Sequence, residues 1–259
     1  MSTDFVELTE ISGDMVSQEQ VDRIARRYYW AADYCKDKDV LEVACGSGQG
    51  VGYLASVSKS MVAGDYSEPI IDIARRHYGS RFKFERFDAQ SIPFADSSFD
   101  VVLIFEALYY IPDPSRFFAE CRRILRQGGV LLISNANKDL YDFNPSPHSH
   151  VYHGVLELER DLSSHGFNNI QCFGDTPLAA VSLKQRILRP AKAFASKFGL
   201  IPKSMTAKKL LKRFIFGNLV PMPAEIDAMT SQPIAPTKLR PGLAERSHKV
   251  IFSHAYRAS

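Results

Sequence analysis

The chain has 259 residues, 45% of them hydrophobic and 24% charged, an ordinary globular composition that excludes disordered, collagen-like and disulfide-scaffold proteins. Its net charge of +3 is unevenly placed: residues 176–224 hold ten Lys or Arg and no acid, which leaves 22 basic against 29 acidic residues elsewhere. The four cysteines, Cys35, Cys45, Cys121 and Cys172, show neither CxxC pairing nor zinc-ligand spacing, and they read as reduced thiols of a cytoplasmic protein. The opening MSTDFVELTE lacks a signal-peptide pattern, and no apolar run approaches the roughly 20 residues of a membrane span.

In chain order, Val21, Ile24, Ala25, Tyr28, Tyr29 and Ala32 recur at helical spacing, so Ser17–Cys35 is expected to form a helix with Ser17 as its N-cap. The apolar run Val40–Ala44 reads as a strand that enters the glycine turn Cys45-Gly46-Ser47-Gly48-Gln49-Gly50, followed by a helix from Gly50 to Ser58. A second strand over Met61–Asp65 and a helix over Pro69–Tyr78 come next, then a third strand over Phe82–Phe87 followed by Asp88. Phe99–Phe105 is nearly continuous in apolar residues, as a parallel strand buried on both faces should be. Pro114–Leu125 reads as a helix ended by Gly128-Gly129, and Val130–Ser134 as a fifth strand. Five alternations of strand and helix predict a doubly wound α/β sheet, mostly parallel. Beyond it lie a loop at Asn144–Pro147, a helix over Val155–His165 capped by Gly166, a strand over Ile170–Phe173 and a last strand over Lys249–Tyr256.

A glycine turn after the first strand of such a sheet lets backbone approach a ligand. The dinucleotide pattern GxGxxG, started at Gly46, needs glycine where the chain has Val51. Started at Gly50, GVGYLA fits the variant with a final alanine, but it begins inside the expected helix. The company of the turn decides instead. LEVACGSGQG, the acid of AGDYS, the acid of FDAQSIPFADSSFDVV and the strand LRQGGVLLIS stand in one order. Together they resemble the class I S-adenosylmethionine-dependent methyltransferases, in particular the small-molecule branch with ubiquinone-type and sugar methyltransferases, over residues 20–135.

The resemblance implies a Rossmann-like, seven-stranded methyltransferase domain over 1–259, with a basic helical insertion at 178–247 before the last strand. It implies S-adenosyl-L-methionine as cofactor, bound by Glu42, Ala44, Gly46, Ser47 and Gly48 at the methionine and ribose, with Asp65 accepting the ribose hydroxyls. Tyr66 would pack on adenine, Asp88 and Ala89 would meet its amino edge, and Phe105 would sit beneath the methyl donor. Glu42, Asp65 and Asp88 also fall at the ends of successive strands, where open α/β sheets bind ligands. In ALYYIPDP, Tyr109 and Tyr110 stand where relatives often carry histidine, and they are expected to shape the acceptor pocket.

His148, His150 and His153 cluster in PHSHVYH after the fifth strand. They are candidates for the base that takes a proton from an oxygen acceptor. A polar surface loop and a zinc site are the other two readings, although the spacing matches no common zinc pattern. SLKQRILRPAKAFASKF and TAKKLLKRFIFGNLVPMP read as amphipathic basic helices. They would serve as a lid, as a surface for an anionic partner, as a helix lying on acidic lipid, or as a packed hairpin with a solvated basic face. The function expected is methyl transfer to a small molecule, favouring a hydroxyl of a nucleotide-linked or lipid-linked sugar that bears phosphate. RNA methylation through the basic segment and a non-catalytic partner subunit are the alternatives. The segment lacks a recognised RNA-binding motif, and the rest of the chain is acidic.

Overall fold

The computed structural model describes residues 11–146, 148–178 and 219–259. Ser17 caps α1 (Gln18–Cys35) as expected, closing a capping box with Gln20 in which each side chain meets the other's backbone N–H. The chain then alternates through β2 (Asp39–Val43), α2 (Val51–Ala55), β3 (Ser60–Asp65), α3 (Glu68–Tyr78), β4 (Lys83–Arg86), β5 (Phe99–Phe105), α4 (Pro114–Ile124) and β6 (Leu125–Ala136). It continues through α5 (Val155–Ser164), β7 (Phe167–Pro177), the short strands β8 (Leu219–Pro221) and β9 (Thr237–Lys238), and β10 (His248–Arg257). A three-residue strand, β1 (Met15–Ser17), precedes α1 and pairs with β8.

The main sheet has eight strands in the order β4-β3-β2-β5-β6-β10-β7-β9. Its first five are mutually parallel, and β10 enters antiparallel between β6 and β7. The eighth strand beyond the seven expected is the two-residue β9, which pairs with β7 at the sheet edge. Alternation along β5 sorts the core into two layers. Val101, Leu103 and Phe105 pack with Val21, Ile24, Ala25 and Tyr28 of α1, whereas Val102 and Ile104 join Phe117, Phe118 and Cys121 of α4 and Leu158 and Leu162 of α5. One face of the sheet is therefore covered by α1 and the other by α4 and α5.

Three expectations are corrected. Gly128-Gly129 does not cap α4, because the chain passes from Ile124 directly into β6. The two glycines lie where pairing slips from Phe99↔Leu125 to Val101↔Val130, an irregularity that Gly128 accommodates at φ +73°. The helix expected from Gly50 to Ser58 ends after Ala55. In the segment before the last strand, residues 219–247 hold two short strands and no helix. Pairing of β8 with β1 takes Leu219–Pro221 out of the second expected basic helix. The first basic helix, and Lys208, Lys209, Lys212 and Arg213 of the second, lie outside the described residues.

Candidate active site

A cavity of about 670 Å³ opens at the C-terminal ends of the parallel strands. Its floor is the turn after β2. There Ala44, Gly46 and Gly48 all adopt positive φ, at 55°, 58° and 81°. The turn is pinned from the next strand, since the Gly46 N–H donates to Asp65 Oδ2 at 3.0 Å and the Ser67 N–H to Oδ1 at 2.9 Å. Burial raises the Asp65 pKa against the lowering pull of these N–H donors. Asp88 follows β4 and accepts from the Gln90 N–H at 2.8 Å.

Of the sequence candidates, Ala44, Gly46, Asp65, Tyr66, Asp88, Ala89, Phe105, Tyr109, Tyr110 and His150 line the cavity. Glu42, Ser47, Gly48, His148 and His153 do not. Glu42 lies under the floor, 1% exposed, where its Oε1 accepts from the Tyr28 hydroxyl at 2.7 Å and its Oε2 is buried without a hydrogen-bond partner. Burial pushes its pKa up to about 7. Gly48 faces away from the cavity, with a Cβ there meeting Tyr78 and Phe84 at 3.2 and 3.3 Å.

The three histidines part company. His153 is 4% exposed, with Nε2 at 3.3 Å from Asp161 Oδ2 and its ring edge-on to Phe118, a core position in which burial lowers its pKa. His148 is exposed at φ +63°. His150 alone of the three reaches the cavity, and its N–H donates to the Tyr109 carbonyl at 2.7 Å. Tyr109 and Tyr110 secure this loop. The Tyr109 ring stacks on Tyr152 at 4.4 Å, and the Tyr110 hydroxyl bonds Ser146 Oγ. The tyrosines thus hold the histidine loop against the site, and burial raises the pKa of both. Among the described residues no cluster of His, Cys, Asp or Glu could hold a metal ion, and the zinc reading is dropped for them.

Among the lining residues that sequence reasoning missed, two groups stand out. Gln20, Arg23, Ile24, Arg27 and Tyr28 come from α1, which roofs the cavity. Their spacing of three and four places them on one helix face, a signal legible in the sequence but masked by the apolar residues interleaved with them. Glu106 follows Phe105 at the end of β5, at φ +54°, with its carboxylate accepting from the Tyr109 hydroxyl at 3.2 Å and Ser134 Oγ at 3.3 Å. It obeys the same strand-end rule as Asp65 and Asp88. Positive φ at both Ala44 and Glu106 puts strained backbone at the ends of two adjacent strands, β2 and β5. These features fit a nucleoside-bearing cofactor: a close-approach turn, two carboxylates at its far side and an orphaned buried oxygen beneath.

Residues 41–133 match the family described as "Methyltransferase domain". The chain is 28% identical over 167 residues to a "Probable S-adenosylmethionine-dependent methyltransferase" of Mycolicibacterium smegmatis, covering 59% of this chain and 65% of that one. It is 45% identical over 129 residues to phthiotriol/phenolphthiotriol dimycocerosates methyltransferase 1 of Mycobacterium ulcerans, covering 49% and 43%. The first curated relatives are matched over 40–65% of their own length. Among solved structures, an S-adenosylmethionine-dependent methyltransferase of Thermotoga maritima superposes with a TM-score of 0.56 at 16% identity, over 92% of this chain and 91% of that one, which shows a shared fold.

Proposed function

We propose that the chain is a class I S-adenosylmethionine-dependent methyltransferase, a reading supported by its matching methyltransferase domain, and that its strand-end cavity binds that cofactor and methylates a hydroxyl of a small molecule, with a sugar as the favoured acceptor. The observation that carries the reading is the joining of the glycine turn, Asp65 and Asp88 around one cavity. S-adenosylmethionine, when bound, supplies an electrophilic methyl group.

The protein's own residues divide the remaining work. Asp65 presents two carboxylate oxygens to ribose hydroxyls, Asp88 and Ala89 meet the adenine amino edge, and Tyr66, 51% exposed, offers a ring face. The buried Phe105 ring, with Arg27 at 5.8 Å from its centroid, keeps water from the reacting centre. An oxygen acceptor must lose a proton, and the reading gives that role to His150, supported by its being the one of the three histidines that lines the cavity. Glu106 and Tyr109 orient the hydroxyl from the facing wall. The polar lining by Gln20, Ser134, Ser146 and Glu106 favours an acceptor rich in hydroxyls over a wholly apolar one. The run of ten basic residues over 176–224 supports a phosphate on that acceptor.

Calorimetric titration tests the cofactor assignment. Asp65→Ala should weaken S-adenosylmethionine binding by about 1.5–3 kcal/mol while the protein remains folded. Unchanged affinity in the folded variant refutes the role of Asp65, and no binding by the wild type refutes the function.

A further inference from the structure

We propose that Arg23 of α1, together with Arg27, forms an oxyanion subsite for the acceptor, so that the small molecule methylated carries a carboxylate or phosphate group read by α1. The inference rests on the cavity being the methyltransferase site, and it adds the substrate class to that reading.

The course of α1 places Arg23 in the cavity. The nucleoside-binding acids Asp65 and Asp88 follow β3 and β4, on one side of the sheet centre. The start of α1 lies on the other side. Glu19 pairs with Lys249 of β10, and the next residue, Val250, lines the cavity and pairs with Ala136 of β6. From there Gln20, Arg23 and Arg27 recur along the cavity-lining face of the helix. Arg27 reaches the centre, 5.4 Å from the Tyr28 ring and 5.8 Å from that of Phe105. Arg23 stands one turn nearer the start of the helix, about 6 Å along its axis. It therefore belongs to the half of the cavity bounded by Ser134, Val250, Tyr109 and Glu106, away from the nucleoside acids.

Arg23 is not accounted for by the fold. Its neighbour Arg26 pairs with Asp175 at 3.4 Å, but Arg23 is in no ion pair among the described residues, and its Nε is buried without a hydrogen-bond partner. Holding a guanidinium donor out of water with nothing to receive it is costly, and the planar fork matches the oxygens of a carboxylate or phosphate. Glu106, a carboxylate that lines the same cavity, already accepts from Tyr109 and Ser134 with its oxygens. The cationic wall would hold the anion of the acceptor, leaving Glu106, Tyr109 and His150 to the hydroxyl.

The test uses the full chain saturated with S-adenosylhomocysteine and titrated at low salt with inorganic phosphate, and in a parallel arm with acetate. We expect at least one oxyanion to bind the wild-type complex, and the stronger arm identifies phosphate or carboxylate as the group recognised. Arg23→Gln should weaken that binding by roughly tenfold or more, the lower end for a hydrogen bond to a charged group, while S-adenosylhomocysteine affinity stays within about twofold. Arg23→Lys, which keeps the charge and loses the fork, should fall between the two. Retained S-adenosylhomocysteine binding also certifies that each variant is folded. If neither anion binds the wild type, or if Arg23→Gln leaves anion binding unchanged, the subsite is overturned. If the variant loses S-adenosylhomocysteine affinity in step with the anion, Arg23 grips the cofactor's own carboxylate and the acceptor assignment fails. Failure of the wild type to bind S-adenosylhomocysteine would bring down the methyltransferase reading itself, an outcome separable from the others.

Discussion

At the residue scale, Glu42 shows how a buried acid can serve a site that it does not touch. An unfolded chain ionises this group near 4.5, whereas burial in the folded protein holds it protonated up to about 7. Between those values the folded state binds more protons than the unfolded state, so this residue's contribution to stability falls as pH rises and levels off above 7. Glu42→Gln cannot ionise, and its Oε1 can still accept from Tyr28. The variant should therefore gain stability over wild type as pH rises from 5 to 8, by at most roughly 3 kcal/mol at the upper end. A melting-temperature difference that stays flat across this range would show that Glu42 is not the titrating group. A cationic ligand bound above it favours the ionised form, which would link binding to proton release near neutral pH. The histidines teach the complementary lesson: His150 and His153 are three residues apart, yet one lines the cavity and the other is core. Spacing in a loop does not decide which side chains share a site.

At the element scale, α1 does two jobs with one face. Its apolar residues seal one layer of the core, and Gln20, Arg23 and Arg27 between them roof the cavity. Its docking depends on a close approach to the glycine turn. A Cβ on Gly50 would lie 2.1 Å from the Tyr28 ring, so only glycine there lets Tyr28 reach Glu42. The start of the helix is fixed by the Ser17–Gln20 capping box, in which Gln20 is also a lining residue. Ser17→Ala should cost about 1 kcal/mol in urea unfolding, the usual worth of such a cap. A loss well under half of that would mean that β1–β8 pairing and packing position the helix without the box.

At the scale of the whole molecule, the glycine turn, Asp65 and Asp88 that line the cavity all precede the basic segment in the chain. Reversing Lys208, Lys209, Lys212 and Arg213 to glutamate should accordingly leave S-adenosylhomocysteine affinity within about twofold in calorimetry at physiological salt, where the Debye length is about 8 Å. A larger loss would tie the basic segment to the cofactor. Among the described residues no helix is long and apolar enough to cross a membrane.

What the sequence determined by itself was the parallel half of the sheet and the strand-end turn and acids that line the cavity. The run over Phe99–Phe105 recurs with the same bounds as β5, and the strand-end acids Asp65 and Asp88 line the cavity. Both signals are local: a strand buried on both faces must be apolar throughout, and a close-approach turn must be rich in glycine. Only the tertiary structure assembled the opposite wall of the cavity. Gln20, Glu106, Ser134, His150 and Val250 are scattered over more than two hundred positions, and they meet because β10 inserts beside β6 and α1 crosses the sheet above them. Arg23 reads in the sequence as one more charge on an amphipathic helix. Its meaning as a buried donor without a partner appears only when the helix is laid across the cavity. Local periodicity reports which face of an element is apolar, but the neighbour that a polar residue meets is set by packing between elements distant in the chain.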